Sequence, residues 1–225
     1  MIYITGDTHG SIETHRLSAA NFPDGKSLTK DDYVIICGDF GLIWSSSEED
    51  LWWLKWLESK PWTTLFVDGN HENFDLLNSY PVELWNGGKI HKVSDSVIHL
   101  MRGQVFELQN HKFFTFGGAK STDKAYRTEG KSWWKQEIPT RDEFDEALEN
   151  LQEHEFSVDY IVTHTAPSWV CRCLSSCPVS DPTCDYMDAF DKFVKFKEWY
   201  FGHFHSDRVV TSEFHAMYEN IERMV

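Results

Sequence analysis

Basic residues are the scarce class in this chain. Against 36 Asp and Glu stand 21 Lys and Arg, a formal net charge of −15. A field of that sign disfavours broad binding to nucleic acid, which needs basic surface, so no stable nucleic-acid complex is expected. An anionic substrate is still compatible, because divalent cations would be the largest local charges in a site. Long apolar runs are also missing. None approaches the length of a membrane span, and no membrane association is expected. The opening Met1-Ile2-Tyr3-Ile4 lacks the basic segment of a signal peptide, so the expected compartment is the cytoplasm. With no internal repeat, low-complexity tract or linker, residues 1–225 read as a single domain. Cys37 sits in an apolar run and reads as a buried thiol. Cys171, Cys173, Cys177 and Cys184 are grouped, but not at the Cys-x₂-Cys spacing of common zinc sites. They are read as unpaired thiols in a loop, with a zinc knot or disulfides formed on oxidation as the alternatives.

What the chain does have is aromatic side chains, 10 Trp and 16 Phe among them, enough for a substantial core and a pocket rim. Continuous apolar runs at 1–5, 33–37, 63–67, 160–162 and 199–201 have the character of strands buried on both faces. Residues 84–118 read as short strands and turns, including a hairpin around Asn110. Helices are expected at 11–22 with Ser11 as cap, at 48–60 ended by Pro61, over the helix-like stretch 72–78, and at 186–195. Thr140-x-x-Glu143 is a capping box, followed by Phe144, Ala147, Leu148 and Leu151 at helical spacing. Residues 119–139 read as a long surface loop, and 209–225 as further strand, with 219–225 carrying no decisive pattern.

Each of the five buried strands ends in a small turn that presents Asp, Asn or His. The residues are Asp7 and His9, Asp39, Asn70 and His71, His164, and His203 with His205. The turn Asp68-Gly69-Asn70-His71-Glu72, taken alone, also fits an ordinary Gly-Asn turn with a solvated His. Five such ends in one chain do not fit that description. In layered α/β folds, ligands bind beyond the carboxyl ends of strands, where these side chains would gather. The donors are carboxylate, amide and imidazole without thiolate, a set that suits Mn²⁺, Fe or Zn²⁺ rather than Ca²⁺ or an iron–sulfur cluster. So many donors exceed the needs of one ion. Two ions about 3.5–4 Å apart with a shared carboxylate would use them all.

The series Asp7-x-His9, Gly38-Asp39, Gly69-Asn70-His71-Glu72, His164 and Gly202-His203-x-His205 resembles the calcineurin-like metallophosphoesterase superfamily in order and rough spacing, from residue 7 to residue 205. The resemblance implies a four-layer α/β/β/α sandwich of two mixed sheets, with two divalent metal ions, Mn²⁺ foremost and Fe or Zn²⁺ as alternatives, at one edge. It implies that Asp7, His9 and His205 hold one ion, that Asn70, His164 and His203 hold the other, and that Asp39 bridges them. His71 would bind neither ion and would act at the leaving-group oxygen, as general acid or hydrogen-bond donor. The implied reaction is hydrolysis of a small phosphorylated substrate or nucleotide by in-line attack of a hydroxide between the ions.

One departure from the pattern stands out. Phosphoprotein phosphatases of the superfamily carry Gly-Asp-x-x-Asp-Arg-Gly at the second motif, whereas Leu42 and Ile43 occupy the Asp and Arg positions here. This places the chain outside that branch and leaves the phosphate clamp to be supplied elsewhere. Arg102, Lys120 and Arg127 are the candidates. The segment Gly117-Gly118-Ala119-Lys120-Ser121 either aims backbone N–H groups at an anion or is a plain glycine turn. Tyr126, Trp133 and Trp134, around Arg127, either stack on a base or sugar or pack in the core. The remaining histidines, His15, His91, His99, His111, His154 and His215, read as surface or structural residues. A phosphatase is favoured over a phosphodiesterase, nuclease or nucleotide pyrophosphohydrolase on the same site. A non-catalytic metal-binding scaffold is the alternative from another class, and it would be expected to have lost ligands that are all present here.

Overall fold

The computed structural model describes residues 1–175 and 181–225. In chain order the strands are β1 (Ile2–Thr5), β2 (Tyr33–Ile36), β3 (Thr63–Phe66), β4 (Val82–Trp85), β5 (Gly88–Ser94), β6 (Val97–Leu100), β7 (Gln104–Leu108), β8 (His111–Phe116), β9 (Tyr160–Thr163), β10 (Glu198–Phe201), β11 (Arg208–Val209), β12 (Phe214–Ala216) and β13 (Ile221–Arg223). The α-helices are α1 (Glu48–Glu58), α2 (Phe74–Leu77), α3 (Arg141–Glu153), α4 (Ser168–Leu174) and α5 (Thr183–Phe193). Among the described residues no helix is long and apolar enough to cross a membrane.

The strands form a seven-stranded sheet, ordered β13-β1-β2-β3-β6-β5-β4, and a six-stranded sheet, ordered β11-β12-β10-β9-β8-β7. Both are mixed. The first is parallel from β1 through β6 and antiparallel at its edges. The second is parallel from β12 through β8, with β11 and β7 antiparallel at its edges. Side-chain alternation along the strands then dictates the layers. Ile4, Ile35 and Leu65 of the first sheet meet Phe106, Phe113 and Val162 of the second between the sheets. On the outer side of the first sheet, Val34, Ile36 and Phe66 pack with Leu57 of α1 and with Trp62. Outside the second, Phe114, Ile161 and Trp199 pack with Phe144 and Leu151 of α3 and Phe190 of α5. Three cores between four layers make the α/β/β/α sandwich. Each fully buried Phe or Leu in them contributes about 1.5–3 kcal/mol of apolar transfer.

Parallel pairing is what positions the site. Thr5 is in register with Ile36, Ile36 with Phe66, and Thr163 with Phe201. Neighbouring strands therefore release their chains at one edge, each into a polar turn. Elsewhere the capping box at Thr140 starts α3, with Thr140 Oγ1 accepting from Glu143 N at 3.2 Å. The turn between β7 and β8 holds Gln109 and Asn110 at φ 49° and 67°, as a two-residue hairpin requires.

Several segments depart from the expectations. Residues 11–22 do not form an α-helix. They contain a 3₁₀ turn, Thr14–Leu17, and Ser11 caps nothing. The Thr14 hydroxyl and backbone N–H both donate to the Gly10 carbonyl, at 2.6 and 3.4 Å, and the turn ends where Ser18 takes extended backbone, ψ 156°. The stretch after Glu72 is helical only from Phe74, where Asn73 caps it. α5 begins at Thr183, earlier than expected. The undecided tail contains β13, antiparallel to β1. Residues 119–139 are not a plain surface loop, since Glu137 and Trp134 are buried. The Glu137 carboxylate accepts from Ser121 N at 3.0 Å and Ser121 Oγ at 2.6 Å, pinning both ends of the segment. Cys171 and Cys184 lie on α4 and α5 rather than in a loop. They are free and buried, with Sγ atoms 3.8 Å apart, and Cys173 is free and exposed. Cys177 lies outside the described residues.

Thr140→Ala should lower stability by about 1 kcal/mol, the usual cost of a lost N-cap. Ser11→Ala should change it by less than about 0.5 kcal/mol. Urea unfolding of both variants measures the contrast, and an equal loss in the two would contradict the capping assignment.

Candidate metal centre at the shared strand edge

The turns are tied to one another before any side chain reaches the site. Thr8 N and His9 N both donate to the Asp39 carbonyl, at 3.2 and 2.8 Å, joining the turn after β1 to that after β2. His71 N donates to Asp39 Oδ1 at 2.7 Å, joining the turn after β3. His203 N donates to the Asp7 carboxylate at 3.0 and 3.1 Å, joining the second sheet to the first. His9, Asp39, His203 and His205 have φ of 42°, 46°, 67° and 46°, a left-handed conformation that L-residues avoid. Such strain gathers where function over-determines the backbone. Two glycines are sterically required: a Cβ at Gly69 would collide with Asp39 Oδ1, and one at Gly202 with Asp7 Oδ1.

Seven predicted side chains converge on this edge. Asp7 Oδ2 lies 3.2 Å from His205 Nε2. Asp39 faces both sheets, with Oδ2 3.4 Å from His9 Nε2 and Oδ1 3.4 Å from His164 Nε2. Asn70 Oδ1 is 3.1 Å from His164 Nε2, while its amide nitrogen donates to Ser121 Oγ at 3.2 Å. The His164 and His203 rings are 5.0 Å apart, centroid to centroid. Two groups of potential donor atoms each fall within 4.8 Å: Asp7, His9 and His205, and Asp7, Asp39 and His164. His164 Nδ1 lies 2.8 Å from the Cys37 carbonyl, an acceptor only, so Nδ1 carries the proton and Nε2 faces the site.

The electrostatics describe a site built for cations. Asp7 and Asp39 are buried with 0% and 1% exposure. Burial alone would lower His9 and His164. The hydrogen bonds and charge of Asp39, with Glu13 adding to His9 and Asp7 to both, instead push them up to about 9 and about 10. Burial alone would raise Asp39, but the imidazoles of His164 and His9 hold it well below the carboxylate range. Burial and the charge of His164 bring His203 down to about 4. Two buried carboxylates thus favour positive charge beside them. A divalent ion would supply that charge, and the donor set of carboxylate, amide oxygen and imidazole fits Mn²⁺, Fe or Zn²⁺.

His71 stands in neither donor group. Its ring is 5.6 Å from that of His9, and Arg127 Nη2 lies 3.0 Å from both of its nitrogens. Burial lowers its pKa, against the charge of Asp39 and together with that of Arg127. A guanidinium only donates, so whichever His71 nitrogen accepts from it carries no proton.

The three basic candidates separate. Arg127 reaches the site, steadied by Asp123 at 2.7 Å and the Ser132 carbonyl at 3.2 Å. Arg102 does not. It is buried behind the β3 turn with its guanidinium on Asp68 at 2.6 and 2.9 Å and on Glu143 at 3.2 Å, so it leaves the set of phosphate clamps. Lys120 is half-buried, with its backbone N–H on Asp181 at 2.9 Å. Around it, Gly118 N donates to the Asp68 carbonyl and Ser121 N to Glu137, so these amides are committed within the protein and form no anion cradle. Leu42 and Ile43 are 1% exposed in the outer core of the first sheet. Of the nearby rings, Trp134 is buried and Tyr126 is 93% exposed.

Sequence reasoning gave no role to Glu72, Glu13 or Tyr218. The buried Glu72 carboxylate accepts from Phe40 N at 2.7 Å and Gly41 N at 3.2 Å, bracing the β3 turn against the β2 turn. Burial and the charge of Asp39 push it up to about 8, against those two hydrogen bonds. Glu13 binds His9 Nδ1 at 2.7 Å and accepts from the Tyr218 hydroxyl. The four-residue step from His9 to Glu13 was the available signal for Glu13. Tyr218 had none, because it arrives from the far end of the chain. Behind the site, Asp68 also meets His99 Nε2 at 3.2 Å, and His99 Nδ1 meets His91 Nδ1 at 3.1 Å. His91 and His99 are therefore structural, as their lack of a motif implied.

A family model described as calcineurin-like phosphoesterase matches residues 1–207. A search of curated proteins finds no match to the chain.

Gly69→Ala should weaken metal binding roughly tenfold or more by displacing Asp39, a loss that calorimetric titration with Mn²⁺ would register. A second expectation concerns pH. Burial and His99 lower His91 from the ordinary 6.5 to about 4. Between those values the unfolded chain binds the extra proton, so this contribution is intact above pH 6.5 and lost as pH falls towards 4. Unfolding free energy measured across that window should decline less steeply in His91→Gln, by up to one proton's worth of slope.

Proposed function

Because the chain belongs to the calcineurin-like phosphoesterase family, and is a metal-dependent phosphoester hydrolase, we propose that it works with two divalent ions and favours phosphate monoesters. The observation that carries this is the pair of donor groups within 4.8 Å at one strand edge, with Asp39 presenting one oxygen to each sheet's histidines. On this reading Asp7, His9 and His205 hold one ion, Asn70, His164 and His203 hold the other, and Asp39 serves both. Mn²⁺ is the proposed metal, with Fe or Zn²⁺ as alternatives that the same donors accept. Bound there, divalent ions would supply a water of lowered pKa and positive charge to offset that of the phosphoryl group.

The protein's own groups then have definite tasks. Arg127 holds His71 at the site, and once substrate draws the guanidinium onto its phosphate, the imidazole N–H can meet the leaving-group oxygen. With its pKa lowered, His71 serves better as a neutral hydrogen-bond donor than as a store of a proton. A bound phosphate would share the Arg127 guanidinium, which stands in for the clamp that Leu42 and Ile43 cannot provide. Asp7 and Asp39, held by backbone N–H groups, keep fixed positions and add no reorganisation cost at the moment of reaction.

The proposed substrate is a small phosphorylated molecule or nucleotide, handled by one domain in the cytoplasm, without a membrane or a stable nucleic-acid complex. The net charge of −15 supports the last point. The test is a paired assay of protein stripped and reloaded with Mn²⁺, using p-nitrophenyl phosphate and bis-p-nitrophenyl phosphate. Faster metal-dependent release from the monoester is the expected result. Preference for the diester would turn the reading to a phosphodiesterase or nuclease, and failure to bind metal would end it. Asp39→Asn should weaken both ions. His71→Ala should keep metal content and slow turnover by about 10²–10⁴-fold, most for poor leaving groups.

A further inference from the structure

The half of the site built on Asp7, His9 and His205 is supported by two residues outside the motif pattern, Glu13 and Tyr218. One Glu13 oxygen lies 2.7 Å from His9 Nδ1, and the other accepts from the Tyr218 hydroxyl. The Tyr218 ring is stacked on His205, with centroids 4.8 Å apart and planes inclined by 9°. Tyr218 lies beyond residue 207, where the family match ends. Its backbone is nonetheless fixed against the strand that delivers Asp7. The Tyr218 carbonyl accepts from Gly6 N at 3.2 Å, from Thr5 Oγ1 at 3.3 Å and from Arg16 Nη1. Its N–H donates to Asp207 Oδ1 at 2.8 Å. Arg16 also sits 3.6 Å from Glu13, with its guanidinium carbon 5.3 Å from the Tyr218 ring centroid.

We propose that Glu13 and Tyr218 are positioning residues that set the affinity of the metal ion held by Asp7, His9 and His205. The inference rests on the two-ion reading above. Glu13 accepts the Nδ1 proton of His9, which fixes the tautomer with Nε2 free to coordinate and raises the basicity of that nitrogen. Tyr218 acts on both histidines of the half-site. Its hydroxyl orients Glu13, and its ring face limits rotation of the half-exposed His205. His164 of the other half-site has its Nδ1 on a neutral backbone carbonyl, that of Cys37. A charged acceptor on one side and a neutral one on the other give the two ions unequal support. The C-terminal tail is thereby, through Tyr218, part of the metal centre.

The test is calorimetric titration of metal-stripped full chain with Mn²⁺, with His205→Ala and His203→Ala identifying which ion is which. Thermal unfolding of the stripped proteins serves as the fold control. Glu13→Gln, which keeps an acceptor but loses the charge, should weaken the ion that His205→Ala weakens by about tenfold. Glu13→Ala should weaken it nearer a hundredfold, within the range typical for a ligand's hydrogen-bond partner. The ion that His203→Ala weakens should keep its wild-type affinity throughout. Tyr218→Phe, which keeps the ring and loses only the hydroxyl, should give a smaller loss at the same ion, and it carries the test if the Glu13 variants unfold. Unchanged affinities in Glu13→Gln and Tyr218→Phe, or equal losses at both ions, would overturn the inference while leaving the two-ion reading intact. A wild-type chain that takes up no Mn²⁺ would overturn both.

Discussion

Two buried carboxylates, Asp7 and Asp39, are the constraint from which the rest of this edge follows. Adjacent parallel strands, β1 and β2, bring them to the same end of the sheet with almost no exposure. Charges in that position are costly unless opposite charge surrounds them. The chain answers with backbone N–H groups from His71 and His203 and with imidazoles from both sheets. The imidazoles can meet the carboxylates as protonated partners, with Asn70 Oδ1 accepting from His164 Nε2 at 3.1 Å, or stand back with that amide oxygen as ligands of a shared cation. The glycines at 69 and 202 follow from the same constraint, because any side chain there would occupy the carboxylate oxygens' space.

Much of this was legible in the sequence because it rests on local signals. Buried parallel strands appear as short unbroken apolar runs, and the residues just after them stand out by chemistry. The Thr140 capping box encoded α3, and the hairpin around Asn110 was marked by a turn that admits positive φ. The misreadings share a different cause. The segment after Gly10 had helical composition, but the chain turns extended at Ser18 and leaves only the 3₁₀ turn Thr14–Leu17. Residues 119–139 looked like a loop because Glu137, a charged residue, was not expected as a buried anchor. Its partners, Ser121 and Lys124, become visible only in three dimensions. The same holds for Glu72 and Tyr218, whose roles depend on partners about thirty and two hundred residues away in the chain.

The three arginine and lysine candidates show what sequence cannot arbitrate. Arg102 and Arg127 are equivalent on paper. One sits against Asp68 and Glu143 in the interior, where its charge is already matched, and burial leaves it no face for a substrate. The other reaches His71 from a segment otherwise fastened by Glu137 and Trp134. The choice between them is made by where the fold places each guanidinium: Arg102 lies between two acids in the interior, whereas Arg127, paired with Asp123, still reaches His71.

Function on turns demands rigidity that turns do not ordinarily have. Here four non-glycine residues, His9, Asp39, His203 and His205, are held left-handed at a cost on the order of 1 kcal/mol each. The offset comes from bonds that run between turns rather than within them. The turn after β1 donates to Asp39, that after β3 donates to Asp39 and accepts through Glu72 from Phe40, that after β10 donates to Asp7, and His164 after β9 donates to Cys37. Gly6 closes the series by donating to Tyr218 of the tail. No turn in this set can relax without releasing a buried partner in another, and an orphaned buried group costs about 1–3 kcal/mol. The strain in each backbone is thus secured by its neighbours, and the site behaves as one object although no two of its strands are joined directly in sequence.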